Sequence, residues 1–296
     1  MLVCGSFVIL LIGGLLKYEG FFVLPSPKKI QNDHKKVRSY KGVGVYYINL
    51  DRSAKRLHDV RPFIQALGFP AERISAVDGS VLKDEDLENK FDIKGFERFM
   101  GRSPLRGEIG CALSHVKAWE VFLESPYAYA LILEDDIVFD PSTIQKVVKS
   151  LVHKPQLWDV CNLDIRLKGE KKGWSLHTGQ VGGYGVRVFL KGVYGTDAYL
   201  IKRCAAQKML DRAHSMALTI EDYFTRAWEF GLVYTALYPR AVHQPAVDSV
   251  IHAMPSFTKR MPLSIYERFE RWLSSRFYRF KTALIRCAYG LKVGLF

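Results

Sequence analysis

The chain of 296 residues has 48% hydrophobic and 25% charged side chains, which is typical of a globular protein with one large or two modest domains. Its formal net charge of +13 lies mostly at the ends, because residues 1–41 and 259–296 together hold sixteen Lys or Arg against four Asp or Glu. Basic charge beside apolar ends indicates an anionic membrane surface and argues against a nucleic acid as partner. Five dispersed cysteines without a C-x-x-C pair argue against a zinc knuckle or a redox dithiol.

The chain begins with sixteen residues that carry no charged side chain. This run is short for a membrane span of about 20 residues, and basic residues follow it instead of preceding it, unlike those of a secretory signal. The positive-inside rule then predicts that the downstream domain stays in the cytoplasm. We expect residues 1–41 to form an apolar N-terminal segment and a basic linker. We interpret the apolar segment as a membrane anchor, and the alternatives are a buried segment or a start codon assigned too far upstream.

From residue 42 to residue 239, short runs of strand-forming residues alternate with segments of helical spacing. The first run, 42–50, predicts a buried strand, and the segment 51–68 predicts a helix. Residues 164–195 are rich in glycine and basic side chains and predict a long loop or a small β excursion. The alternation indicates an α/β layered fold. Further strands are predicted within 71–79, 127–134, 157–164, 196–201 and 232–239, and further helices within 107–125, 141–152, 202–215 and 217–231.

The run at 127–134 leads straight into three consecutive carboxylates, Glu134, Asp135 and Asp136. Ligands of open α/β sheets bind outside the carboxyl ends of the strands, and oxygen ligands select Mg²⁺ or Mn²⁺. If the backbone stays extended, Glu134 and Asp136 point the same way and Asp135 points the other way. A divalent ion held here would stabilise a leaving nucleoside diphosphate. The alternatives are the phosphoacceptor cluster of a receiver domain and a solvated turn whose charges cap the helix at Pro141.

Residues 259–296 predict a basic amphipathic C-terminal helix. One arc of this helix is apolar and contains Phe269, Leu273, Phe277, Phe280, Leu284 and Ala288. The opposite side is basic and contains Arg268, Arg271, Arg279 and Arg286. Such a helix suits an interface with anionic lipid. The alternative is a terminal helix that docks its apolar face on the domain and leaves the Arg side in solvent.

Five short blocks occur in order along the chain: YYINLDRSAKR (46–56), AVDG (76–79), GEIGCALSHVKAW (107–119), LILEDDIVF (131–139) and GTDAYLI (195–201). Together they resemble glycosyltransferase family 25, which includes bacterial lipooligosaccharide galactosyltransferases and the related collagen galactosyltransferases. The resemblance implies a catalytic domain at 42–258 with a GT-A-like nucleotide-diphospho-sugar transferase fold and a mixed, mainly parallel sheet. It also implies a UDP-sugar donor, usually UDP-galactose, a divalent Mn²⁺ or Mg²⁺ ion, and transfer with inversion.

The resemblance also assigns candidate residues for the metal and the donor. Asp136 is the first choice for a metal ligand in the D-x-D-like motif, and Glu134 contacts the metal or the ribose. The donor-binding candidates from the first block and the acidic motif are Asn49, Arg52, Arg56, Glu134 and Asp135. Ser114 and His115 match the family's SH pair, and their alternative is an ordinary buried structural role.

An inverting transfer needs a general base for the acceptor hydroxyl, and a carboxylate suits this role. Asp222 matches a family position where an acidic residue recurs near a helix start, and Glu221 is its alternative. Helix capping is the structural alternative for both. His243 is a candidate third metal ligand by analogy with other GT-A enzymes. The remaining candidates are Gln244 and Ser249, without a firm role, and Trp174 or Tyr184, for stacking on a sugar face.

We therefore expect a metal-dependent glycosyltransferase at the cytoplasmic face of the membrane. It would move galactose or a similar hexose from UDP to a lipooligosaccharide or another lipid-linked glycan, an anionic and amphiphilic acceptor that fits the basic ends. A protein hydroxyl, as in the collagen branch, is an alternative acceptor. A membrane-associated protein that binds a nucleotide sugar without turnover is an alternative of another class.

Overall fold

The computed structural model describes residues 41–167, 174–190, 192–213, 216–244 and 265–295, which lie in one compact unit. The predictions for residues 1–40 and for Ser249 lie outside these ranges. The described residues form an eight-stranded β-sheet with α-helices packed against both faces. The predicted α/β class is therefore confirmed.

The sheet is mixed. Its strands are β1 (Val43–Asn49), β2 (Ala71–Ser75), β3 (Tyr129–Glu134), β4 (Val160–Asn162), β5 (Ser175–Val181), β6 (Tyr184–Phe189), β7 (Ala198–Lys202) and β8 (Tyr234–Tyr238), in the order β2-β1-β3-β7-β4-β8-β6-β5. Strands β6 and β7 run opposite to the other six, so the seven described pairings comprise three parallel and four antiparallel ones. The expectation that parallel pairings dominate is wrong, because each inverted strand makes both of its neighbours antiparallel.

The helices are α1 (Ala54–Ala66), α2 (Asp84–Lys90), α3 (Ile93–Met100), α4 (Arg106–Glu124), α5 (Pro141–Val152), α6 (Arg203–Leu210), α7 (Ile220–Phe224) and α8 (Ile265–Leu295). The sequence patterns predict all of them except α2 and α3, which are only seven and eight residues long. The signals for α3 are local: Asp92 accepts a hydrogen bond from the Gly95 amide at its start, and Gly101 ends it with φ at 71°. The excursion within 164–195 contains the β5–β6 hairpin.

Strand β1 shows why the central strands are continuous apolar runs, since all seven of its residues are buried. Tyr46 and Ile48 face the core beneath α4, whereas Val45 and Tyr47 face the core beneath α1 and α5. Helices on both faces require apolar residues on both sides of the strand. Polar groups are therefore left to the ends of the strands, where a ligand site can form.

Two glycines allow α4 to lie against the segment that follows β2. A Cβ on Gly110 would lie 2.6 Å from the Val77 carbonyl oxygen, and a Cβ on Gly79 would lie 1.9 Å from the Arg106 carbonyl oxygen. One turn further along α4, Ser114 Oγ accepts a hydrogen bond from the Val77 amide (2.8 Å) and donates to the Gly110 carbonyl (2.6 Å). This close approach fixes α4 beside the carboxyl ends of the strands.

Helix α8 packs against α3 and the β5–β6 hairpin through its basic side. Arg286 donates to the carbonyl (3.3 Å) and hydroxyl (3.1 Å) oxygens of Thr225, and Arg279 donates to the Met100 carbonyl (3.2 Å). The alternative in which the apolar arc docks and the Arg side faces solvent is therefore wrong. In the described part of the chain, no helix combines the length and the apolarity that a membrane crossing requires.

Replacing Gly110 by Ala is expected to lower the free energy of unfolding by about 1–3 kcal/mol, because the new methyl group overlaps the backbone of residues 77–79. Helix propensity alone would instead raise the free energy of unfolding by about 1 kcal/mol. Urea unfolding followed by circular dichroism measures the change. Glu120→Ala, at an exposed position of the same helix, is the control and should leave stability nearly unchanged. A Gly110→Ala variant as stable as the wild type would contradict the close contact.

Candidate active site

A cavity of about 290 Å³ lies at the edge of the sheet where β1 and β3 end. Because β7 is antiparallel to β3, the residues just before β7 reach the same edge. The start of α7, the first half of α4 and Gln244 complete the lining. The charged residues of the lining are Arg56, Asp78, Glu108, Glu134, Asp135, Asp136, Arg166, Asp197 and Glu221. Seven carboxyl groups therefore face two guanidinium groups within the lining, although Asp78 and Glu108 also pair with Arg52 and Arg102 outside it. The remaining excess of carboxyl groups favours a bound cation.

The three consecutive carboxylates at the end of β3 have different partners. Asp135 accepts hydrogen bonds from Asn49 Nδ2 (2.6 Å) and Arg56 Nη1 (3.3 Å). Asp136 Oδ2 accepts from Arg56 Nη1 (3.3 Å) and Gln244 Nε2 (3.0 Å), while the buried Asp136 Oδ1 has no partner among the described residues. Asp135 thus has one protein donor on each oxygen, whereas Asp136 keeps one oxygen for a ligand. The expectation that Asp135 points away from Glu134 and Asp136 is wrong, because the strand ends at Glu134 and Asp135 and Asp136 both reach Arg56 Nη1.

The carboxylates of residues 134–136 do not cap the helix that begins at Pro141. Helix α5 begins at Pro141, and its N-cap is Asp140, whose side chain accepts a hydrogen bond from the Thr143 amide (2.8 Å). The three carboxylates of residues 134–136 instead line the cavity. Capping therefore does not explain why three carboxylates stand together at this strand end.

A chain of buried hydrogen bonds positions Glu134. Trp119 Nε1 donates to the Tyr199 hydroxyl (2.9 Å), which lies 2.9 Å from His115 Nδ1, and His115 Nε2 lies 3.3 Å from Glu134 Oε1. The Tyr199 oxygen accepts from Trp119, and the tautomer of the imidazole sets the direction of the hydrogen bonds that join His115 to Tyr199 and to Glu134. The predicted SH pair is thus structural in its contacts, with Ser114 holding α4 and His115 holding the acidic motif.

Burial shifts the pKa of several groups in this cavity so that their neutral forms are favoured. It raises the pKa of Glu134 well above its usual range, and neighbouring carboxylates raise it further. Burial also raises the pKa of Asp135 and lowers the pKa of His115 to about 3, which keeps the imidazole neutral. The carboxylates are therefore held together in a poorly hydrated space, where a bound cation would relieve both desolvation and repulsion.

A second acidic pair, Asp164 and Asp197, is not among the residues predicted from the sequence, and Asp197 lines the cavity. Arg166 donates to Asp197 Oδ1 (3.0 Å) and to Gln244 Oε1. Because Gln244 donates to Asp136, Arg166 and Gln244 link Asp197 to the acidic motif. Burial raises the pKa of Asp197 to about 8, Arg166 lowers it, and the adjacent Asp164 carboxyl raises it. Asp197 lies within the GTDAYLI block, but only the reversed direction of β7 brings it to this edge.

At the start of α7 the cavity is lined by Glu221, the alternative candidate for the base. Glu221 Oε1 accepts a hydrogen bond from the Gly195 amide (2.8 Å), and burial raises the pKa of this carboxyl. Asp222 instead accepts from Thr219 Oγ1 (3.0 Å), while the Thr219 hydroxyl caps α7 by accepting from the Asp222 amide. The geometry therefore favours Glu221 over Asp222, which was the first choice from the sequence.

The donor-binding candidates near β1 differ in their availability. Arg56 lines the cavity against the acidic motif, with its side chain 27% exposed. Asn49 also lines it but spends its amide on protein groups, so its visible role is to position Asp135. Arg52 is half exposed and pairs with Asp78 Oδ2 (3.0 Å). Arg56 is thus the candidate whose charge is best placed for an anionic group of a ligand.

The remaining candidates after β8 and in the hairpin have other surroundings. His243 exchanges both backbone hydrogen bonds with Val138 (2.7 and 3.0 Å), and its side chain is exposed. Successive side chains of an extended segment alternate, so Gln244 reaches the cavity and His243 does not. Trp174 is exposed and Tyr184 packs in the core beneath α5, and neither belongs to the cavity lining formed by the described residues.

Two sets of groups in the cavity bear on metal binding. A sulfur of Cys111, a ring nitrogen of His115 and a carboxylate oxygen of Glu134 lie within 4.8 Å of one another. Both nitrogens of His115 are already hydrogen-bonded, however, and burial raises the pKa of Cys111 well above its usual range, which disfavours the thiolate. Asp136 Oδ1 and Glu134 instead supply the hard oxygen ligands that Mg²⁺ and Mn²⁺ prefer. The residues present therefore fit the predicted divalent ion.

The fold and the cavity define an α/β protein with an acidic ligand site at the carboxyl edge of its sheet. The model of glycosyltransferase family 25, described as an LPS biosynthesis protein family, matches residues 43–225. This range covers more than half of the chain and includes the acidic motif and Glu221. The chain belongs to glycosyltransferase family 25, as the resemblance of the five sequence blocks predicts.

Similar proteins carry related names. A glycosyltransferase 25 family member of Aedes aegypti is 32% identical over 176 residues, which are 56% of this chain and 28% of the mosquito protein. Procollagen galactosyltransferase 2 of Mus musculus is 30% identical over 122 residues, 39% of this chain and 20% of its own. The human inactive glycosyltransferase 25 family member 3 is 26% identical over 172 residues, 56% and 28% of the two chains. The match therefore spans less than a third of each of these relatives.

The raised pKa of Asp197 makes stability depend on pH. Its pKa rises from 3.8 to about 8 on folding, so the stabilising contribution of Asp197 is full below pH 3.8 and is lost as the pH rises towards 8. We expect Asp197→Asn, which keeps the oxygen that accepts from Arg166, to melt above the wild type at pH 8, with a smaller gap at pH 5. Calorimetry of chelator-treated protein measures both gaps.

The control for this prediction is Asp140→Asn, which removes an exposed carboxylate whose hydrogen bonds lower its pKa to about 2. It should give no gain in melting temperature at pH 8. An Asp197→Asn variant that is shifted equally at pH 5 and pH 8 would show that the buried carboxyl does not bind its proton as described.

Proposed function

We propose that this protein is a metal-dependent glycosyltransferase with a GT-A-like fold. It transfers a hexose, with galactose as first choice, from a UDP-sugar to a lipooligosaccharide or another lipid-linked glycan, with inversion at the anomeric carbon. It works at the cytoplasmic face of the membrane. The proposal depends on one observation: the cavity at the strand ends holds the consecutive carboxylates 134–136, with Asp136 Oδ1 buried and without a described partner.

Asp136 and Glu134 are the proposed ligands of the divalent ion. When bound, the ion supplies a Lewis acid that stabilises the leaving nucleoside diphosphate. Asp135, held by Asn49 and Arg56, positions the motif beside Asp136, with which it shares the Arg56 Nη1 donor. Arg56 is the proposed partner of the diphosphate, because a guanidinium binds phosphate oxygens with two parallel hydrogen bonds.

Glu221 is the proposed general base. It takes the proton of the acceptor hydroxyl while the hydroxyl oxygen forms a bond to the anomeric carbon. The bond from that carbon to the diphosphate oxygen breaks, and its electron pair leaves with UDP. A carboxyl whose pKa is raised by burial suits this role near neutral pH. The Gly195 amide and the Arg166 guanidinium, 3.9 Å away, orient the carboxylate.

The basic ends of the chain support an anionic, amphiphilic acceptor. A protein hydroxyl is the second candidate, because some relatives are named procollagen galactosyltransferases. A non-catalytic nucleotide-sugar-binding protein is the third, because another relative is named inactive. Mass spectrometry of products from a panel of glycolipid and hydroxylysine-peptide acceptors distinguishes the three: a glycolipid product supports the first, a glycosylated peptide the second, and metal-dependent UDP binding without any product the third.

Asp136→Asn is expected to lower turnover at least a hundredfold, because it removes the charge that binds the ion. The assay is UDP release by the full chain with UDP-galactose, Mn²⁺ and acceptor, together with Mn²⁺ binding followed by electron paramagnetic resonance. Asp140→Asn is the matched control, since it makes the same change four residues away and keeps a good cap for α5. Full activity or unchanged Mn²⁺ affinity in Asp136→Asn would refute the metal assignment.

Glu221→Gln and Asp222→Asn separate the two candidate bases. Glu221→Gln should lower kcat by about 10²–10⁴ because proton transfer is lost. Its UDP affinity should stay close to the wild type, and its melting temperature should be equal or higher, since a buried carboxyl with a raised pKa is removed. Asp222→Asn keeps an oxygen that accepts from Thr219 and should retain turnover. Loss of turnover in Asp222→Asn at unchanged melting temperature, with Glu221→Gln active, would instead identify Asp222 as the base.

A further inference from the structure

Helix α8 presents its apolar side to solvent although the helix packs on the domain. The large apolar side chains on this side are between 40% and 64% exposed, and they are Phe269, Trp272, Leu273, Phe277, Phe280, Leu284 and Leu291. Large apolar side chains that remain exposed along one side of a folded helix indicate a binding surface. We call this set the α8 apolar face.

The opposite side of α8 is already occupied, so the helix has no freedom to turn its apolar face inwards. Arg286 lies over the ring of Trp228 (5.7 Å) in addition to its two hydrogen bonds to Thr225. The Tyr278 ring stacks on Phe99 with centroids 4.5 Å apart. These contacts fix the rotation of the helix about its axis.

Two glycines of the helix extend this contact to the β5–β6 hairpin. A Cβ on Gly290 would lie 2.6 Å from Leu190 Cδ2, and a Cβ on Gly294 would lie 2.6 Å from Leu176 Cδ1. The helix therefore approaches the hairpin at van der Waals distance along its last two turns. Exposure of the apolar face is thus a consequence of how α8 docks.

From residue 272 onwards, the charges beside the α8 apolar face are all positive. Residues 272–295 contain five Lys or Arg and no Asp or Glu, whereas Glu267 and Glu270 lie in the first two turns of the helix. Arg276, Lys281 and Lys292 are exposed, and Arg276 and Lys281 lie near opposite borders of the apolar face. An occupant of this face must therefore be apolar in its centre and negatively charged at its borders.

We propose that the α8 apolar face binds the surface of a bilayer that contains anionic lipid. An amphipathic helix with Phe, Trp and Leu on one side and basic residues beside them buries its apolar side chains at the level of the headgroups, and each basic residue adds attraction to anionic lipid. A second copy of the same face would bring like charges together at both borders. The apolar segment 1–16 carries no charge to complement the basic border.

The test is cosedimentation of the full chain with vesicles of phosphatidylcholine alone or with about 30% phosphatidylglycerol, without donor or acceptor. Binding should be strong only with the anionic vesicles and should weaken in high salt. The double variant Phe280→Asn, Leu284→Asn should lower the partition coefficient by about tenfold or more, because two half-exposed apolar side chains no longer enter the bilayer. Its melting temperature should match that of the wild type, since both side chains are exposed.

Two further variants complete the design. The double variant Lys281→Gln, Lys292→Gln should bind anionic vesicles more weakly, and its binding to neutral vesicles should equal that of the wild type. Val81→Asn, which removes an exposed apolar side chain outside α8, should bind like the wild type. The proposal is overturned by unchanged vesicle binding of the Phe280/Leu284 variant. It is equally overturned if that variant abolishes a dimer seen by light scattering, which assigns the face to a second copy, or loses melting temperature, which assigns it to a segment of the same chain.

Discussion

The structure depends on the crowding of carboxylates at one edge of its sheet. Glu134, Asp136 and Asp197 meet there because two strands of opposite direction end and begin at the same place. Their repulsion in a poorly hydrated space has to be balanced by donors and cations, and the surrounding chain supplies them. Asn49, Arg56, His115, Arg166 and Gln244 each spend a hydrogen bond on one of the acidic residues or on its partner.

Much of this arrangement was predictable from the sequence, because its signals are local. The run from Tyr129 to Glu134 is a strand whose composition predicts burial on both faces, and its end marks the ligand edge of an α/β sheet. The family blocks added the order of the elements and the likeness to transferases, which the family match then confirmed. The choice of Asp136 as first metal ligand followed from the family motif, and its partner-free oxygen agrees with that choice. Strand alternation does not extend through the motif, because β3 ends at Glu134.

Other parts depend on long-range contacts that no local pattern contains. Asp197 reaches the cavity because β7 runs antiparallel to β3, and the direction of a strand cannot be read from its amino-acid composition. His243 pairs with Val138, and this register turns the next side chain, Gln244, into the site and leaves His243 outside it. The rotation of α8 depends on Gly290 and Gly294 fitting the β5–β6 hairpin, so the packed side is the one that hydrophobic spacing alone assigns to solvent.

The hydrogen-bond chain from Trp119 through Tyr199 and His115 to Glu134 has a consequence for the divergence of such proteins. Three buried positions of the core place their polar atoms in a chain of hydrogen bonds that ends at a carboxylate at the strand end. A paralogue that loses this carboxylate no longer needs those atoms, and apolar residues of similar shape become equally good there. We therefore expect relatives without this carboxylate to have apolar residues at several of these core positions together, which aligned sequences can show.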